Sequence, residues 1–160
     1  KIVNQLISEL KLKEKVFVHR DFHVSNIMPV KSKLGIIDTQ DIIIGNPMYD
    51  VASLIDDVRI QIPLTIKNKI FQYYLKKSSL RKNIYFLKND FDILSIQRNL
   101  KILGIFYRLN IRDKKPEYLK YLPYTWKLIE LRMKNKIFKN LEKILLDAVS
   151  KKLRKKRNFK

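Results

Sequence analysis

Apolar side chains recur at every third or fourth position over most of the chain, which is the period of an amphipathic α-helix. The longest such stretch covers residues 90–109, where apolar residues share one face. Proline and polar clusters separate the stretches and mark their ends. The predicted helices are 1–15, 49–59, 63–79, 90–109, 124–135 and 141–148.

A different pattern lies between the first two predicted helices. Val16–Val18 is a β-branched and aromatic run, and residues 26–30 and 34–37 form two more. Such runs favour strands, and the polar turn at residues 31–33 joins the second to the third as a short β-hairpin. The predicted fold class is therefore α+β, mostly α.

The loop after the first predicted strand carries the most informative motif. It reads His19-Arg20-Asp21-Phe22-His23-Val24-Ser25-Asn26, which resembles the H-R-D-x-x-x-x-N catalytic loop of kinase-like phosphotransferases, and Asp38 follows the third strand. Transfer of a γ-phosphoryl group depends mainly on positioning the reactants and on neutralising charge through Mg²⁺. We predict that Asp21 is the general base that takes the proton of the attacking hydroxyl. Asn26 and Asp38 are the predicted oxygen ligands of the metal.

The two histidines of this loop have a second interpretation. His19 and His23 stand four residues apart, as in the H-E-x-x-H zinc motif. The glutamate of that motif is absent and the flanking segments are strand-like, so the zinc interpretation fails. We expect both histidines to pack and to form hydrogen bonds within the loop.

Three motifs together resemble the aminoglycoside phosphotransferase/choline kinase superfamily of small-molecule kinases. They are H-R-D-F-H-x-x-N from His19, I-D-x-x-D from Ile37 and G-x-P-x-Y-D-x-A-S-L from Gly45. Residues 38–41, 52–57 and 97–106 are similar, more narrowly, to the anomeric N-acetylmuramate/N-acetylglucosamine kinases of bacterial cell-wall recycling. The resemblance covers residues 16–130.

The resemblance implies a protein-kinase-like fold whose short β-hairpin carries the catalytic and metal loops. It also implies ATP and Mg²⁺ as cofactors and a cytoplasmic location. It agrees with the base and the two metal ligands given above, where Asn26 and Asp38 would also face the nucleotide phosphates. It adds His19, His23 and Asp50 as supporting residues, and Asp50 would hydrogen-bond back to the catalytic loop.

Two residues outside the loop are predicted to contact the phosphate acceptor. Asp57 lies near the C-terminal end of a predicted helix, where negative charge is unfavourable for the helix dipole. That cost indicates acceptor hydroxyls as a partner, although an exposed helix face explains it as well. Arg98 lies in the stretch similar to the amino-sugar kinases, and a solvated arginine is its alternative interpretation.

The predicted function is ATP-dependent phosphorylation of an amino-sugar hydroxyl, of the N-acetylmuramate/N-acetylglucosamine type. One alternative keeps the fold and changes the acceptor to choline or ethanolamine, an amino acid or an aminoglycoside. Another alternative is a non-catalytic remnant whose basic tail, residues 151–160, binds RNA or a membrane surface.

Composition limits these choices. The net charge of +20 would ordinarily suggest a nucleic-acid partner. Lys supplies 26 of the 35 basic residues while Ala and Gly are scarce, which is typical of an AT-rich genome. We therefore expect a nucleotide and a small-molecule substrate as partners, and no nucleic acid. The chain has no Cys, which suits a reducing compartment, and no apolar run long enough to span a membrane.

Kinases of this kind also need an N-terminal lobe whose strands, phosphate loop and lysine cover the nucleotide. The chain has three isolated glycines and only 15 residues before its first predicted strand. We therefore expect residues 1–150 to form a C-terminal lobe alone, followed by the basic tail. By itself this lobe should show little or no turnover.

Overall fold

A computed structural model describes residues 2–80 and 84–155 of the chain. These residues form two compact units, one comprising Leu10–Leu94 and the other the residues before and after that range. The helices are α1 (Ile2–Ser8), α2 (Met48–Ile55), α3 (Leu64–Lys77), α4 (Ile84–Asp113), α5 (Leu122–Arg132), α6 (Lys139–Ala148) and α7 (Lys151–Lys155). The strands are β1 (Val16–Val18), β2 (Ile27–Val30), β3 (Lys33–Ile36) and β4 (Ile43–Gly45). The predicted class, α+β and mostly α, is confirmed.

The strands form two antiparallel pairs, both within the 10–94 unit. β2 and β3 make the predicted hairpin, in which Ile27 faces Ile36 and Val30 faces Lys33. The turn is tight, with Lys31 in the left-handed region at φ 53°. β1 pairs instead with β4, from Val16 opposite Gly45 to Val18 opposite Ile43. The sequence indicated the hairpin but not this second pair.

The core of the 10–94 unit lies between α2, α3 and the start of α4. Phe71 of α3 packs on Phe91 of α4, with ring centroids 4.9 Å apart. The buried apolar cluster comprises Leu12, Met48, Ala52, Ile55, Leu75, Leu87, Phe91 and Leu94. The strands contribute little to this core, and Phe17 of β1 is 79% exposed.

α1 is shorter than predicted. The helix was expected over residues 1–15, and it ends at Ser8. Beyond it, the backbone N–H groups of Lys11 and Leu12 donate to the carboxylate of Asp90 rather than to helix carbonyls. An N–H that is committed elsewhere cannot continue the i to i−4 ladder of a helix. Lys1 lies outside the described residues.

α2 and α4 also differ from the prediction. α2 ends at Ile55, four residues early, and the Lys67 ammonium caps it by donating to the Ile55 carbonyl. α4 is longer than 90–109 at both ends and stops where Lys114 turns left-handed, at φ 53°. There the N–H of Lys115 closes onto the Leu109 carbonyl.

In the other unit, the rest of α4 packs against the 3-10 helix Pro116–Tyr121 that precedes α5. Phe106 of α4 contacts the rings of Tyr118 and Tyr121 at centroid distances of 5.5 and 5.7 Å. Trp126 is buried, which agrees with a packing role. The first part of the basic tail is helical over Lys151–Lys155, and buried Arg154 forms an ion pair with Glu130. Residues 156–160 of the tail lie outside the described range.

Within the described ranges, no helix is both long and apolar enough to cross a membrane.

Candidate active site

The H-R-D loop leaves β1 through a strained backbone conformation. Val18 and His19 are buried, while Asp21 is exposed. Arg20, between them, has φ 74°, a left-handed value that costs a non-glycine residue about 1 kcal/mol or more. Such strain persists only where neighbouring contacts hold the chain in place.

Asp50, in the first turn of α2, supplies those contacts. One oxygen, Oδ2, accepts the backbone N–H of His19 at 2.6 Å, and Oδ1 accepts the N–H of Arg20 at 3.0 Å. A carboxylate is favoured at a helix N-terminus, and hydrogen bonds to a charged acceptor are stronger than neutral ones. The same side chain therefore anchors both residues that precede Asp21.

The loop histidines lie inside the site. The Nε2 atom of His19 donates to the carbonyl oxygen of Ile37 at 2.9 Å, because a carbonyl oxygen can only accept. This bond connects the loop to the chain just before Asp38. His23 is also buried, and its backbone N–H donates to the Asp21 carbonyl at 3.0 Å.

Asn26 and Asp38 lie side by side. The Asn26 amide nitrogen donates to the Asp21 carbonyl at 3.0 Å and lies 3.5 Å from Oδ2 of Asp38. Gln40 donates to Oδ1 of Asp38 at 2.6 Å. Asp38 itself is left-handed, at φ 67°, in the turn that follows β3. The fold thus brings together the three residues that the sequence singled out.

The donor chemistry of this cluster fits a magnesium ion. No group of three or more His, Cys, Asp or Glu side chains with metal-binding geometry occurs among the described residues. Mg²⁺ does not require such a group, because it usually takes one or two carboxylates together with phosphate oxygens and water. The amide nitrogen of Asn26 faces Asp21 and Asp38, which leaves its oxygen available as a ligand. Asp38 supplies the carboxylate.

Asp57 is fully buried just beyond the end of α2. Its Oδ1 accepts the backbone N–H of Arg59 at 3.0 Å and lies 3.5 Å from the Arg59 guanidinium. Its Oδ2 is buried and has no hydrogen-bond partner within residues 2–80 and 84–155. The exposed-face interpretation of Asp57 is therefore wrong.

Arg98 lies on α4 in the other unit and is also buried, so it is not a solvated arginine.

The sequence pattern did not identify two of the buried polar residues near the site, Asp90 and Asn46. The carboxylate of Asp90 accepts four hydrogen bonds, and Asn46 is one of its donors. The available signals were an acidic residue inside the apolar run of α4 and an Asn directly before Pro47. Neither signal identifies its partner, because Asn46 and Asp90 are far apart along the chain.

Comparison with known proteins gives a consistent result. The sequence profile of the phosphotransferase enzyme family matches residues 2–84. An N-acetylmuramate/N-acetylglucosamine kinase of Pseudomonas aeruginosa is 31% identical over 135 residues, which are 81% of this chain and 40% of that protein. The protein of the same name from Neisseria meningitidis is 32% identical over 126 residues, 76% of this chain and 38% of that protein. The one from Caulobacter vibrioides is 30% identical over 121 residues, 72% and 33% respectively.

The chain thus spans about two-fifths of the length of the P. aeruginosa and N. meningitidis relatives. The family profile, by contrast, covers more than half of the chain itself and includes the whole H-R-D loop, β2, β3 and Asp50. With its loop, its Asn26–Asp38 pair and this match, the chain belongs to the phosphotransferase enzyme family.

Proposed function

We propose that this chain carries the catalytic base and metal ligands of an ATP-dependent kinase that phosphorylates a hydroxyl of an amino sugar. The observation that carries the proposal is the cluster of Asp21, Asn26 and Asp38, tied together by the Asn26 amide. The amino-sugar acceptor, of the N-acetylmuramate/N-acetylglucosamine class, is supported by the names of the relatives.

The proposed chemistry assigns one task to each side chain. The oxygen of the acceptor hydroxyl attacks the γ-phosphorus, Asp21 takes the proton of that hydroxyl, and ADP leaves. Asn26 holds the Asp21 backbone through its amide nitrogen. The side-chain oxygens of Asn26 and Asp38 would hold the metal ion. Bound Mg²⁺ supplies charge neutralisation on the phosphates. Asp50 keeps the strained backbone of Arg20 in place, so that Asp21 points to the acceptor.

Asp57 is our proposed acceptor contact. A buried carboxylate oxygen without a donor costs about 1–3 kcal/mol or more. Because Asp57 is 0% exposed, a sugar hydroxyl would satisfy this oxygen only after a local opening of the chain around it. The unfilled Oδ2 of Asp57 supports this role. For Arg98 the support is its place in the stretch that is similar to the amino-sugar kinases, and a guanidinium suits an acceptor carboxylate such as the lactyl group of N-acetylmuramate.

We also propose that residues 1–150 act as the C-terminal lobe, and that other residues cover the nucleotide. Apolar side chains on the strands beside the loop support this, since Phe17 is 79% exposed, Leu34 73% and Ile44 61%. Exposed apolar patches of this kind usually mark an interaction surface. The short coverage of the relatives agrees with it. Assays of activity therefore belong in the natural polypeptide that contains these residues.

The test is phosphate transfer from ATP in the presence of Mg²⁺, with separate acceptors: N-acetylmuramate, N-acetylglucosamine, choline, ethanolamine, an amino acid and an aminoglycoside. We expect turnover with the amino sugars and a loss of at least about 100-fold in kcat for Asp21→Asn. Glu14→Gln is the matched control, because Glu14 is an exposed acid just before β1.

Retained kcat in Asp21→Asn, or an equal loss in Glu14→Gln, would remove Asp21 as the base. Turnover confined to choline or an aminoglycoside would keep the enzyme class and reject the amino-sugar acceptor.

A further inference from the structure

Asp90 is a fully buried carboxylate near the start of α4. Its Oδ1 accepts the backbone N–H of Lys11 at 2.8 Å and the Asn89 amide at 3.1 Å. Its Oδ2 accepts the N–H of Leu12 at 2.9 Å and the Asn46 amide at 2.7 Å. A buried charge is tolerated when hydrogen bonds replace its hydration, and here each oxygen receives two donors.

Asn46 extends this network to the beginning of α2. Its amide nitrogen donates to Asp90, while its amide oxygen accepts the N–H of Met48 at 2.9 Å. Its main-chain carbonyl accepts the N–H of Tyr49 at 3.1 Å. Two of the unsatisfied N–H groups at the helix start are thereby paired, which fixes where α2 begins and how it is oriented.

The helix start that Asn46 fixes is the one that carries Asp50. The Asp50 carboxylate accepts the N–H groups of His19 and Arg20 at 2.6 and 3.0 Å. The Asp90 bonds to Lys11 and Leu12 also fix the chain that leads into β1, which ends at Val18. The N-terminal end of the H-R-D loop is therefore held by two sets of contacts that meet at Asp90.

We propose that Asp90 and Asn46 are positioning residues of the catalytic loop. Neither contacts Asp21, and both act through Asp50 and the segment that precedes β1. For the reaction itself the inference rests on the proposed function, but the positioning of the loop can be measured without turnover.

The network requires a carboxylate at position 90. An Asn there would present its NH₂ group to donors on one side, either Lys11 and Asn89 or Leu12 and Asn46. Asn46 cannot relieve the conflict by turning its amide, since its NH₂ would then face the N–H of Met48. Asp90→Asn is therefore a nearly isosteric change that breaks the network specifically.

The experiment compares three variants by amide hydrogen exchange in the 160-residue chain. Asn46→Ser keeps a hydroxyl that can accept the Met48 N–H but is too short to reach Asp90. Asp90→Asn breaks the centre of the network. Asp92→Asn is the matched control, a buried carboxylate on the same helix that pairs with Lys88.

We expect the amides of His19 and Arg20 to exchange at least about tenfold faster in both test variants, relative to amides inside α3. In Asp92→Asn that ratio should stay at its wild-type value. Unchanged protection of His19 and Arg20 would overturn the proposal. Equal acceleration of loop and α3 amides would also overturn it, because it would mean a loss of overall stability. Asn46→Ser keeps the test informative if Asp90→Asn fails to fold.

A second readout uses the natural polypeptide. Mispositioning of the loop predicts a fall of at least about tenfold in kcat for Asn46→Ser, with KM values within about twofold of wild type. Loop amides that exchange faster in a polypeptide whose wild-type form phosphorylates no acceptor would support the positioning role and refute the proposed function. A normal kcat in Asn46→Ser would overturn the positioning role alone.

Discussion

The sharpest stability prediction concerns an ion pair inside the 10–94 unit. The Lys67 ammonium on α3 lies 2.9 Å from Oδ1 of Asp56, and the two side chains are only 3% and 0% exposed. The same ammonium donates to the Ile55 carbonyl at the end of α2. The perturbation is Lys67→Met, which keeps an unbranched apolar side chain in place of the lysine stem and removes the charge and the donors.

The size of the effect follows from the burial. At an effective dielectric constant of about 20, two unit charges at this distance attract by about 6 kcal/mol. Removing Lys67 also removes the cost of desolvating the ammonium, which offsets part of that loss. The net destabilisation from breaking a buried pair in this way is about 3–5 kcal/mol. Lys69, which is exposed on the same helix, gives the matched control Lys69→Met with less than about 0.5 kcal/mol.

Urea unfolding of the 160-residue chain, followed by far-UV circular dichroism, measures the difference. With a slope of about 2 kcal/mol per molar urea, the midpoint should fall by about 1.5–2.5 M in Lys67→Met and stay constant in the control. Combining Lys67→Met with Asp56→Leu should restore most of the loss, because apolar replacement of a whole buried pair is often neutral. A midpoint shift below about 0.5 M in the single variant would refute the reasoning.

Three further predictions concern other parts of the chain. Asp50→Asn retains one acceptor oxygen for two N–H groups, so kcat in the natural polypeptide should fall by about 100-fold while circular dichroism is unchanged; an unaltered kcat contradicts the anchoring role. Burial raises the pKa of Tyr74, with the Ser78 hydrogen bond opposing it, so the folded state loses stability as the pH rises above about 10, where the unfolded tyrosine ionises first. Denaturant titrations at successive pH values should therefore show a smaller alkaline loss in Tyr74→Phe than in wild type, and equal losses would exclude that cause. Arg154→Met should cost less than about 1 kcal/mol in urea, since its partner Glu130 is 44% exposed, and a larger cost would mean that α7 is a core element.

The amino-acid sequence by itself determined the features that depend on short spacing. The turn at residues 31–33 between two β-branched runs encodes the hairpin. The hairpin brings Asp38, two residues after its second strand, next to Asn26, the residue before its first strand. Asn26 and Asp38 could therefore be paired from sequence. The fold class and the existence of the main helices followed in the same way from apolar periodicity.

Only the tertiary structure decided which distant groups meet. The N–H groups of Lys11 and Leu12 join Asp90 across nearly 80 residues, and this is why α1 stops early although its pattern continues. β1 pairs with β4, although nothing in the sequence of either strand indicates its partner. Lys67 is buried, although in so basic a chain its sequence position suggests only another surface lysine. Local pattern fixes which face of an element is apolar, whereas the hydrogen-bond partner of a buried polar group depends on how elements far apart in sequence pack.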